Sequence, residues 1–466
     1  MLKLKKIFAL RQKISYVVRR KELEDKLVTN YLERRPSERL LRITNYKISL
    51  WAVSLTLLTL LSACVSTKQS QAPTIQTPSV KIKPYQPDLV ANSSKPVDIA
   101  SLQNLDSRLY QQLQNLIANN QGARKDGYVY TVDVSQILVY AALKKDLRLY
   151  TPLRDFAIRN LIVDKPSDPY TKGFVLWRYQ PGSPPDASGT TEALRLAESL
   201  WLGSQVFGDS RDRDRAMLLL QGYARHQQID HNVWLIRNYF NLQTRAFANN
   251  SFLVGYDPDL IENIAEATGD RTLQPLAQKS YAIVRQAVTP SGLLYDIIQP
   301  EVLTLMPDLK HLVIFSPNDV VKLANTCTVA ERATTGAPEI GQKVIRFAMQ
   351  RLPKLSTYYY GRTGEPAIQQ NAEVPTYACL VRLAVKLGDR KAVNAFLDPF
   401  VTHAEAVVKN TEEFSLYTVI EALLALQSVL EQSTAPPPTP QNKVKSVTFN
   451  LARLQESLAF TRGRFS

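Results

Sequence analysis

The stretch GFVLWRYQPGSPPDASGTTEALRLAESLWLGSQVF, residues 173–207, joins a loop rich in aromatic residues to the start of a long apolar segment. Ser188, Thr190 and Thr191 are residue types that cap helix N-termini, and Glu192 would lie in the first turn. Apolar or small residues recur at helical spacing after this turn: Leu194, Ala197, Leu200, Trp201 and Ser204. The stretch therefore predicts a polar loop that leads into a buried helix from 190 to 207.

The same loop carries residue types that are typical of carbohydrate sites. Asp186 and Glu192 follow Trp177 and Tyr179 within a few residues. Carboxylates accept hydrogen bonds from sugar hydroxyls and transfer protons, and aromatic rings cover the apolar faces of sugars. From this stretch alone, the alternative is an ordinary loop that leads into a buried helix.

Composition and charge restrict the class of protein. With 466 residues, 45% of them hydrophobic, the chain can form a sizeable core in one large domain or in two or three smaller ones. The net charge of +15 is concentrated in residues 1–47, which contain 14 Lys and Arg against 5 Asp and Glu. The remainder has no basic stripe interleaved with aromatic residues, so no nucleic-acid partner is expected.

The N-terminal region resembles a bacterial lipoprotein signal peptide. A basic segment precedes the uncharged, mostly apolar run of residues 48–63, which ends in Leu61-Ser62-Ala63-Cys64. The resemblance to the lipobox implies cleavage before Cys64 and lipid attachment to its thiol. Because the segment before the run is long, either translation starts downstream of Met1 or the run is an uncleaved signal anchor. A buried core helix is the remaining alternative.

Composition shifts divide the chain into four parts. Residues 1–63 are the basic segment with the signal peptide or anchor, and residues 64–104, rich in Ser, Thr, Gln and Pro, predict a flexible tether. Residues 105–432 form the expected folded domain, and residues 433–466 form a Pro-rich linker with a basic tail. The two remaining cysteines, Cys327 and Cys379, fall in helical segments, which favours two free buried thiols over a disulfide.

Helical periodicity dominates the central region, which predicts an all-α domain. The predicted helices are 105–119, 133–145, 151–161, 190–207, 212–227, 234–247, 258–268, 273–287, 318–335, 339–350, 373–387, 391–409 and 414–430. Gly-Asp turns separate the members of several pairs, as expected at helix C-termini. About six helical hairpins indicate an (α/α)6 toroid, and an open helical solenoid is the alternative.

The predicted inner helices begin with acidic residues. These are Asp133, Glu192, Asp319 and Glu373. Acidic residues are favoured at helix N-termini because they complement the helix dipole, and this explains most such residues in most proteins. Here, however, the same kind of loop also carries Trp177, Tyr179 and Tyr256, which favours a cleft at the N-terminal ends of the inner helices.

The order of segments from residue 126 to residue 430 resembles family 8 glycoside hydrolases, including endoglucanases that accompany bacterial cellulose synthases. In that family an inner helix starts with Ser-Glu-Gly-Gln and ends in Ala-Leu, and residues 132–136 lead to Ala142-Leu143 at similar spacing. Further resemblances lie at residues 185–200, at Tyr256-Asp257-Pro258 through Thr268-Gly269-Asp270, and at Ser316-Pro317-Asn318-Asp319-Val320. Asp133 stands where the family has its acidic Glu, and the flanking Gly and Tyr-Gly are absent.

The resemblance implies an (α/α)6 fold and inverting hydrolysis of a β-linked glucan. It assigns Asp133 as the general acid and Asp319 as the general base, with Asp186 or Glu192 holding the sugar at the cleavage point. Trp177, Tyr179 and Tyr256 are expected to bind substrate. A helix N-terminus stabilises the anion of Asp133, so burial or a second carboxylate would have to raise its pKa for an acid role.

Three functions remain open at this stage. The first is a membrane-tethered, extracytoplasmic endo-β-1,4-glucanase that acts in exopolysaccharide or cellulose production beside a polysaccharide synthase complex. The second is a polysaccharide-binding or assembly factor on the same fold, and the third is a helical scaffold for proteins. No metal or cofactor is expected, because the four histidines form no pair at i, i+4 with acidic support.

Overall fold

The computed structural model describes residues 98–120, 122–230, 233–303, 306–410 and 415–434. The predicted lipidation site Cys64, the signal region and the C-terminal tail lie outside these residues, so the division of the chain into four parts stays a prediction. The first helix begins at Ile99, inside the segment predicted as a tether. Its leucines at positions 102, 105, 109 and 113 are buried at helical spacing, which explains why helix continues into this segment.

Within the described residues, twelve helices alternate between an outer and an inner ring. The outer helices are α1 (Ile99–Asn120), α3 (Leu147–Asn160), α5 (Ser210–Ala224), α7 (Gln274–Gln286), α9 (Pro338–Met349) and α11 (Arg390–Lys409). The inner helices are α2 (Thr131–Leu143), α4 (Thr190–Phe207), α6 (Pro258–Thr268), α8 (Leu323–Glu331), α10 (Val374–Lys386) and α12 (Leu416–Thr434). The inner helices are separated by single outer helices, so they run in one direction.

Contacts between the inner helices close the ring. Helix α2 packs against α4, α8 against α10, and α10 against α12, which returns to α2. A 3₁₀ turn, Leu253–Gly255, precedes α6 and fills the position between α4 and α8. The closed arrangement confirms the predicted (α/α)6 toroid over the open solenoid.

The turn after α4 shows how the sequence specifies a helical hairpin. Gly208 ends α4 with φ of 76°, a left-handed conformation that glycine adopts without a steric penalty. Asp209 then caps α5, and its side chain accepts a hydrogen bond from the Arg211 N–H. The same pair of residue types, Gly388 and Asp389, connects α10 to α11. Gly-Asp turns therefore reverse the chain between inner and outer helices.

Short strands occupy the connections. They are β1 (Val129–Tyr130), β2 (Ile162–Val163), β3 (Phe174–Val175), β4 (Arg178–Tyr179), β5 (Ala187–Gly189), β6 (Gln227–Asp230), β7 (Val233–Ile236), β8 (Tyr239–Asn241), β9 (Ala246–Phe247), β10 (Ser251–Phe252), β11 (Ile297–Leu303), β12 (Met306–Phe315), β13 (Val320–Lys322) and β14 (Tyr358–Tyr360). The pairs are antiparallel: β1–β4, β2–β3, β5–β8–β9, β6–β7, β10–β11–β12 and β13–β14. Strands β1, β5 and β13 each lead directly into an inner helix and so fix its N-terminus.

Twelve of the thirteen predicted helices are present, two of them, 190–207 and 258–268, with the predicted bounds. The helix predicted at 234–247 is wrong, because this segment forms β7, β8 and β9. Buried Val233 and Leu235 flank the less buried Trp234, and such alternation of β-branched, aromatic and apolar residues favours strands. In the described part of the chain, no helix combines the length and hydropathy that crossing a membrane requires.

Both cysteines of the folded region are free and buried, as predicted. Cys327 lies in α8 and Cys379 in α10, two inner helices that pack against each other.

Candidate functional site

Three of the carboxyl groups predicted for the site lie at or just before the N-terminal ends of inner helices. Asp133 is in the first turn of α2 and Glu192 is in the first turn of α4. Asp319 ends a 3₁₀ turn, Pro317–Asp319, that is followed by β13 and α8. Since the inner helices run in one direction, the three residues share one face of the toroid. We refer to this face as the cleft face.

Asp133 is completely buried and forms an ion pair with Arg124. The Arg124 Nε and Nη2 atoms donate to its two carboxylate oxygens at 2.6 and 2.7 Å. Burial raises the pKa of Asp133, and the hydrogen bonds and charge of Arg124 partly offset that increase. Because the side chain is completely buried and both oxygens accept from Arg124, a sugar cannot reach this carboxyl group in this conformation. The assignment of Asp133 as a proton donor stays a prediction that this geometry does not favour.

Aromatic rings and two arginines extend from this ion pair along the cleft face. The Arg124 guanidinium lies 4.1 Å from the centre of the Tyr130 ring, and Tyr130 meets Trp177 edge to face at 5.6 Å. Arg178 is sandwiched by rings, 4.0 Å from Tyr128 and 4.2 Å from Trp177. These contacts are of the cation–π type and hold the rings in fixed orientations. We call these five residues the aromatic–arginine cluster.

Asp186 is bound to the same cluster. Its carboxylate accepts hydrogen bonds from the Trp177 Nε1–H at 2.6 Å and from Arg178 Nη2 at 2.9 Å. The strand pairing of β1 with β4 places Trp177 and Arg178 opposite the start of α2. The structure therefore brings together Asp133, Trp177 and Asp186, three residues that the sequence predicted for one site.

Tyr179 lines a surface recess beside the cluster. The recess has a volume of about 170 Å³, and its lining includes Arg159, Asn160, Arg178 and Asp186. One edge of the Tyr179 ring packs against Phe156 at a centroid distance of 5.8 Å. The ring is half-buried, which leaves part of it available to a ligand in the recess.

Glu192 differs from the other acidic residues of the cleft face. Its carboxyl group folds back over Gly189, since a Cβ at Gly189 would lie 1.9 Å from Oε2. Only its own main-chain N–H is a hydrogen-bond partner among the described residues, and burial raises its pKa to about 7. The residue as a whole nevertheless keeps part of its surface in solvent.

Asp319 is held in an unusual backbone conformation. Asn318 and Asp319 have φ of 56° and 61°, values that are uncommon for residues with a Cβ, although Asn and Asp adopt them more often than other types. The Tyr295 hydroxyl donates to Oδ1 at 3.1 Å and the Arg362 N–H donates to Oδ2 at 3.0 Å. The Asp319 side chain remains 23% exposed. Such strain, maintained by surrounding hydrogen bonds, is characteristic of functional sites.

Gly361 permits this arrangement by its lack of a side chain. Its N–H donates to the Asp319 carbonyl oxygen at 2.7 Å. A Cβ at this position would lie 2.8 Å from the Tyr295 ring and 3.1 Å from the Asp319 carboxylate. Sequence reasoning missed Gly361 and Arg124 as parts of the site, because they lie in loops outside the predicted motifs. Tyr295 was recognised from sequence only as one of several aromatic residues in or near such loops, without a role.

Tyr256, which was predicted to bind substrate, lies in the core. Its side chain is fully buried, and its hydroxyl accepts hydrogen bonds from the Ile236 N–H and from Ser251, each at 3.0 Å. Burial raises the pKa of this hydroxyl to about 12. The ring is enclosed next to Trp234 and is not available to a sugar in this structure.

A layer of charged residues crosses the inside of the ring, beginning about two helical turns below the cleft face. Arg382 on α10 forms ion pairs with Glu331 on α8 at 3.1 Å and with Glu421 on α12 at 2.8 Å. Gln136 on α2 donates to Glu421, and Arg195 on α4 contacts Glu198 at 3.5 Å. These contacts connect four of the six inner helices, α2, α8, α10 and α12, while the Arg195–Glu198 contact lies within α4. The layer was not predicted, since it joins positions that lie far apart in sequence.

The described residues hold no group of three or more His, Cys, Asp or Glu side chains that could bind a metal ion. His226, one of four histidines in the chain, is buried, and desolvation lowers its pKa to about 4.

Comparisons with known proteins show the fold. No family model and no curated protein matches the sequence. Among solved structures, the endo-β-1,4-glucanase CMCax from Acetobacter xylinum matches with a TM-score of 0.53 at 16% identity, covering 70% of this chain and 99% of that chain. A GH8 xylanase from Teredinibacter turnerae matches with a TM-score of 0.53 at 13% identity, covering 73% and 95%. An α-amylase from Clostridium perfringens matches with a TM-score of 0.56 at 14% identity, covering 70% and 98%.

These matches confirm the distant resemblance to family 8 glycoside hydrolases that the sequence motifs indicated. The two GH8-like structures and the α-amylase share the helical toroid with this chain over most of their lengths. At identities of 13–16% the likeness establishes a glycoside hydrolase-like fold, and the activity has to be argued from the site.

Proposed function

We propose that the protein is an extracytoplasmic, membrane-tethered glycoside hydrolase that cleaves a β-linked glucan by inversion during exopolysaccharide or cellulose production. The observation that carries the proposal is Asp319, a partly exposed carboxylate held in a strained conformation on the cleft face of a glycosidase-like toroid. The similar fold of an endo-β-1,4-glucanase supports the substrate class.

Asp319 has the properties of a general base. The Tyr295 hydroxyl and the Arg362 N–H hold its carboxylate in place by hydrogen bonds, and the partly exposed side chain can bind a water molecule. In inverting hydrolysis this water attacks the anomeric carbon from one side of the sugar ring while an acid protonates the leaving oxygen on the other. Inverting enzymes hold the two carboxyl groups roughly 6.5–9.5 Å apart, which leaves room for the water.

The aromatic–arginine cluster and the adjoining recess supply the substrate-binding surface of this proposal. Trp177 and Tyr179 are partly exposed and can stack on the apolar faces of sugar rings. Asp186 keeps about two fifths of its side chain in solvent, where it can accept hydrogen bonds from sugar hydroxyls.

A second candidate function is a polysaccharide-binding or assembly factor without hydrolysis. The observation that favours it is the Arg124–Asp133 ion pair, which occupies the position where the family resemblance places the proton donor. In this case the aromatic–arginine cluster would guide a glucan chain and Asp319 would contact sugar hydroxyls.

The proposed location of the protein outside the cytoplasm and at a membrane rests on the sequence of residues 48–64. We propose that Cys64 carries a lipid that tethers the toroid to a membrane through the segment before Ile99, in the neighbourhood of a polysaccharide synthase complex. Such a tether would keep the folded domain in the neighbourhood of a newly made glucan.

Measuring the release of reducing ends from a glucan distinguishes a glycoside hydrolase from a polysaccharide-binding protein. The full chain is incubated with soluble β-1,4-glucan and mixed-linkage glucan, beside Asp319→Asn and the matched surface control Asp214→Asn, a residue 73% exposed on α5. The proposal predicts new reducing ends with the unmodified chain and with the control, and a loss of roughly 10²–10⁴-fold in Asp319→Asn. Binding of glucan without new reducing ends from the unmodified chain would instead establish the binding function.

A further inference from the structure

An inverting hydrolase with Asp319 as its base needs a second carboxyl group that is protonated near neutral pH. This group must also have an oxygen free to meet the leaving glycosidic oxygen. Asp133 meets the second requirement poorly, because Arg124 binds both of its oxygens and its side chain is completely buried. The cleft face therefore has to be searched for another acid.

Hydrogen bonds distinguish the remaining carboxyl groups. Asp186 accepts from Trp177 and Arg178, and Asp296 accepts from Ser316 at 3.1 Å and from Asn325 at 3.4 Å. Glu192 alone among these acidic residues has no side-chain partner within the part of the chain that the structure describes. Its carboxyl group is thus the one that a ligand can engage without first breaking an ion pair or a side-chain hydrogen bond.

The position of Glu192 fits a proton donor. Strand β5 leads from Asp186 through Gly189 into α4, and the Glu192 carboxyl group lies over Gly189, which has no side chain to cover it. Helix α4 packs directly against α2, so Glu192 and Asp133 lie in the first turns of neighbouring helices. Glu192 as a residue is only partly buried, so it stays in contact with solvent.

The electrostatic surroundings keep a proton on this group. Burial raises the pKa of Glu192 to about 7, and its own main-chain N–H opposes the increase only in part. Charged pairs on or beside the elements that pack against α4 include Asp133 with Arg124, Asp186 with Arg178, Asp212 with Arg154, and Asp257 with Arg332; Arg195 and Glu198 follow on α4 itself. None of them forms a hydrogen bond or ion pair with Glu192 among the described residues.

We propose that Glu192 is the catalytic acid of the cleft and donates its proton to the leaving glycosidic oxygen. This inference rests on the proposed hydrolase function. As the bond between the anomeric carbon and the glycosidic oxygen breaks, the Glu192 proton passes to that oxygen. The attacking water forms the new bond to the anomeric carbon and gives a proton to Asp319. Transfer of that proton through solvent returns Glu192 to its acid form.

Asp133 then acts as a positioning residue. Its ion pair orients Arg124 against Tyr130, and Tyr130 packs on Trp177. The aromatic–arginine cluster would hold the sugar next to Glu192. This role requires the carboxylate of Asp133 and does not require it to release a proton.

Leaving-group dependence tests the assignment. The full chain and its Glu192→Gln variant are assayed on β-glucan and on dinitrophenyl β-cellobioside, whose leaving group needs almost no protonation. We expect Glu192→Gln to lose roughly 10²–10⁴-fold in kcat on β-glucan and less than about tenfold on the activated glycoside. The alkaline decline of kcat/KM in the unmodified enzyme should also disappear in Glu192→Gln. Glu339→Gln, on α9 and half exposed, is the control and should behave like the unmodified enzyme.

Asp133→Asn serves as the comparison variant. If Asp133 is a positioning residue, Asp133→Asn should lose equal factors in kcat on β-glucan and on the activated glycoside. The alkaline decline of its kcat/KM should be the same as in the unmodified enzyme. If Glu192→Gln behaves in that way and Asp133→Asn loses activity on β-glucan alone, the assignment of Glu192 is overturned while the hydrolase function stands. If the unmodified enzyme cleaves neither substrate, the hydrolase function itself fails.

Infrared difference spectroscopy gives a readout that does not depend on turnover. The spectrum of the unmodified full chain minus that of Glu192→Gln should contain a protonated-carboxyl band that disappears as the pH rises through about 7. Subtraction removes the contribution of Asp257, whose burial raises its pKa to about 6. A carboxyl band that is lost well below pH 6, or no band at all, would overturn the inference even in an active enzyme.

Discussion

At the scale of single residues, the Arg124–Asp133 ion pair combines a buried carboxylate with a partly exposed guanidinium. Removal of one partner from a buried pair leaves the other charge without compensation. Such a change typically lowers the free energy of unfolding by roughly 3–5 kcal/mol. The loss should be smaller here because Arg124 keeps 35% of its side chain in solvent. The pair is therefore a structural element of the cleft as well as a part of the proposed site.

The first prediction concerns Arg124→Met. It should lower the free energy of unfolding by about 2–3 kcal/mol at pH 7, measured by urea denaturation. Burial raises the pKa of Asp133 above its unfolded value, so the folded state binds this proton more tightly. The contribution of the Asp133 carboxyl to the free energy of unfolding is therefore present at low pH and is lost as the pH rises through its pKa in the folded state. Without Arg124 that pKa rises further, so the deficit of the variant should shrink as the pH falls.

Two further variants test this explanation. Asp133→Asn added to Arg124→Met should recover much of the lost stability, since no unpaired carboxylate remains. Arg211→Met, which removes an exposed guanidinium from Asp209, should have little effect. A deficit in Arg124→Met that does not change with pH would contradict the account.

The second prediction concerns Gly361→Ala. The new methyl group would press on the Tyr295 ring and on the Asp319 carboxylate. Overpacking of this kind costs about 1–3 kcal/mol, and displacement of Asp319 should lower kcat more than tenfold at unchanged folded fraction. Gly341→Ala on α9 faces Leu383 and Leu387 far from the cleft and is the control. Equal kcat values for the two variants would show that Gly361 has no role in positioning Asp319.

At the scale of helices, Arg382 connects α8, α10 and α12 through Glu331 and Glu421. Glu421 is almost completely buried, and Gln136 on α2 donates to it as well. The third prediction is that Arg382→Met lowers the free energy of unfolding by roughly 3–5 kcal/mol, because two carboxylates lose their main partner. Arg390→Met, at an exposed position on the next helix, is the control. Its midpoint of denaturant unfolding should be nearly that of the unmodified chain. Similar midpoints for both variants would show that the charged layer contributes nothing to stability.

The helices were predictable because their signals are local. Gly208 and Asp209 end one helix and start the next, and α4 and α6 have the bounds predicted from caps and apolar spacing. The segment from 234 to 247 was predicted wrongly, because its apolar residues fit either period and strand pairing decided the outcome. Strand β7 pairs with the neighbouring β6, and β8 pairs with both the neighbouring β9 and the distant β5. Long-range partners also explain why Tyr256 was placed in a loop near the site although Ile236 and Ser251 bind it in the core.

The acidic residues of the site were predicted from sequence, but their states were not. Asp133, Asp186, Glu192 and Asp319 all lie on the cleft face or in its loops. Sequence could not show that Arg124 binds Asp133 or that Glu192 has no side-chain partner, since both facts depend on how loops fold against each other. These contacts change the preferred proton donor from Asp133 to Glu192.

At the scale of the whole molecule, the proposed lipid anchor connects the toroid to a membrane. The fourth prediction is that Cys64→Ser moves the protein from the membrane fraction to the soluble extracytoplasmic fraction, as judged by fractionation of cells that make the full chain. One acyl chain gives weak attachment, and lipoprotein modification adds more than one. A variant that stays in the membrane fraction would support the uncleaved signal anchor instead.

The configuration of the first product tests the central claim most directly. The full chain is mixed with a soluble β-1,4-linked oligosaccharide and the anomeric protons are followed by nuclear magnetic resonance from the first minutes. With Asp319 as a base that activates water, the account predicts that the new reducing end appears first as the α-anomer and later equilibrates. It also predicts no such signal from Asp319→Asn. A β-anomer that appears first, or an α-anomer formed equally fast by Asp319→Asn, would contradict the account.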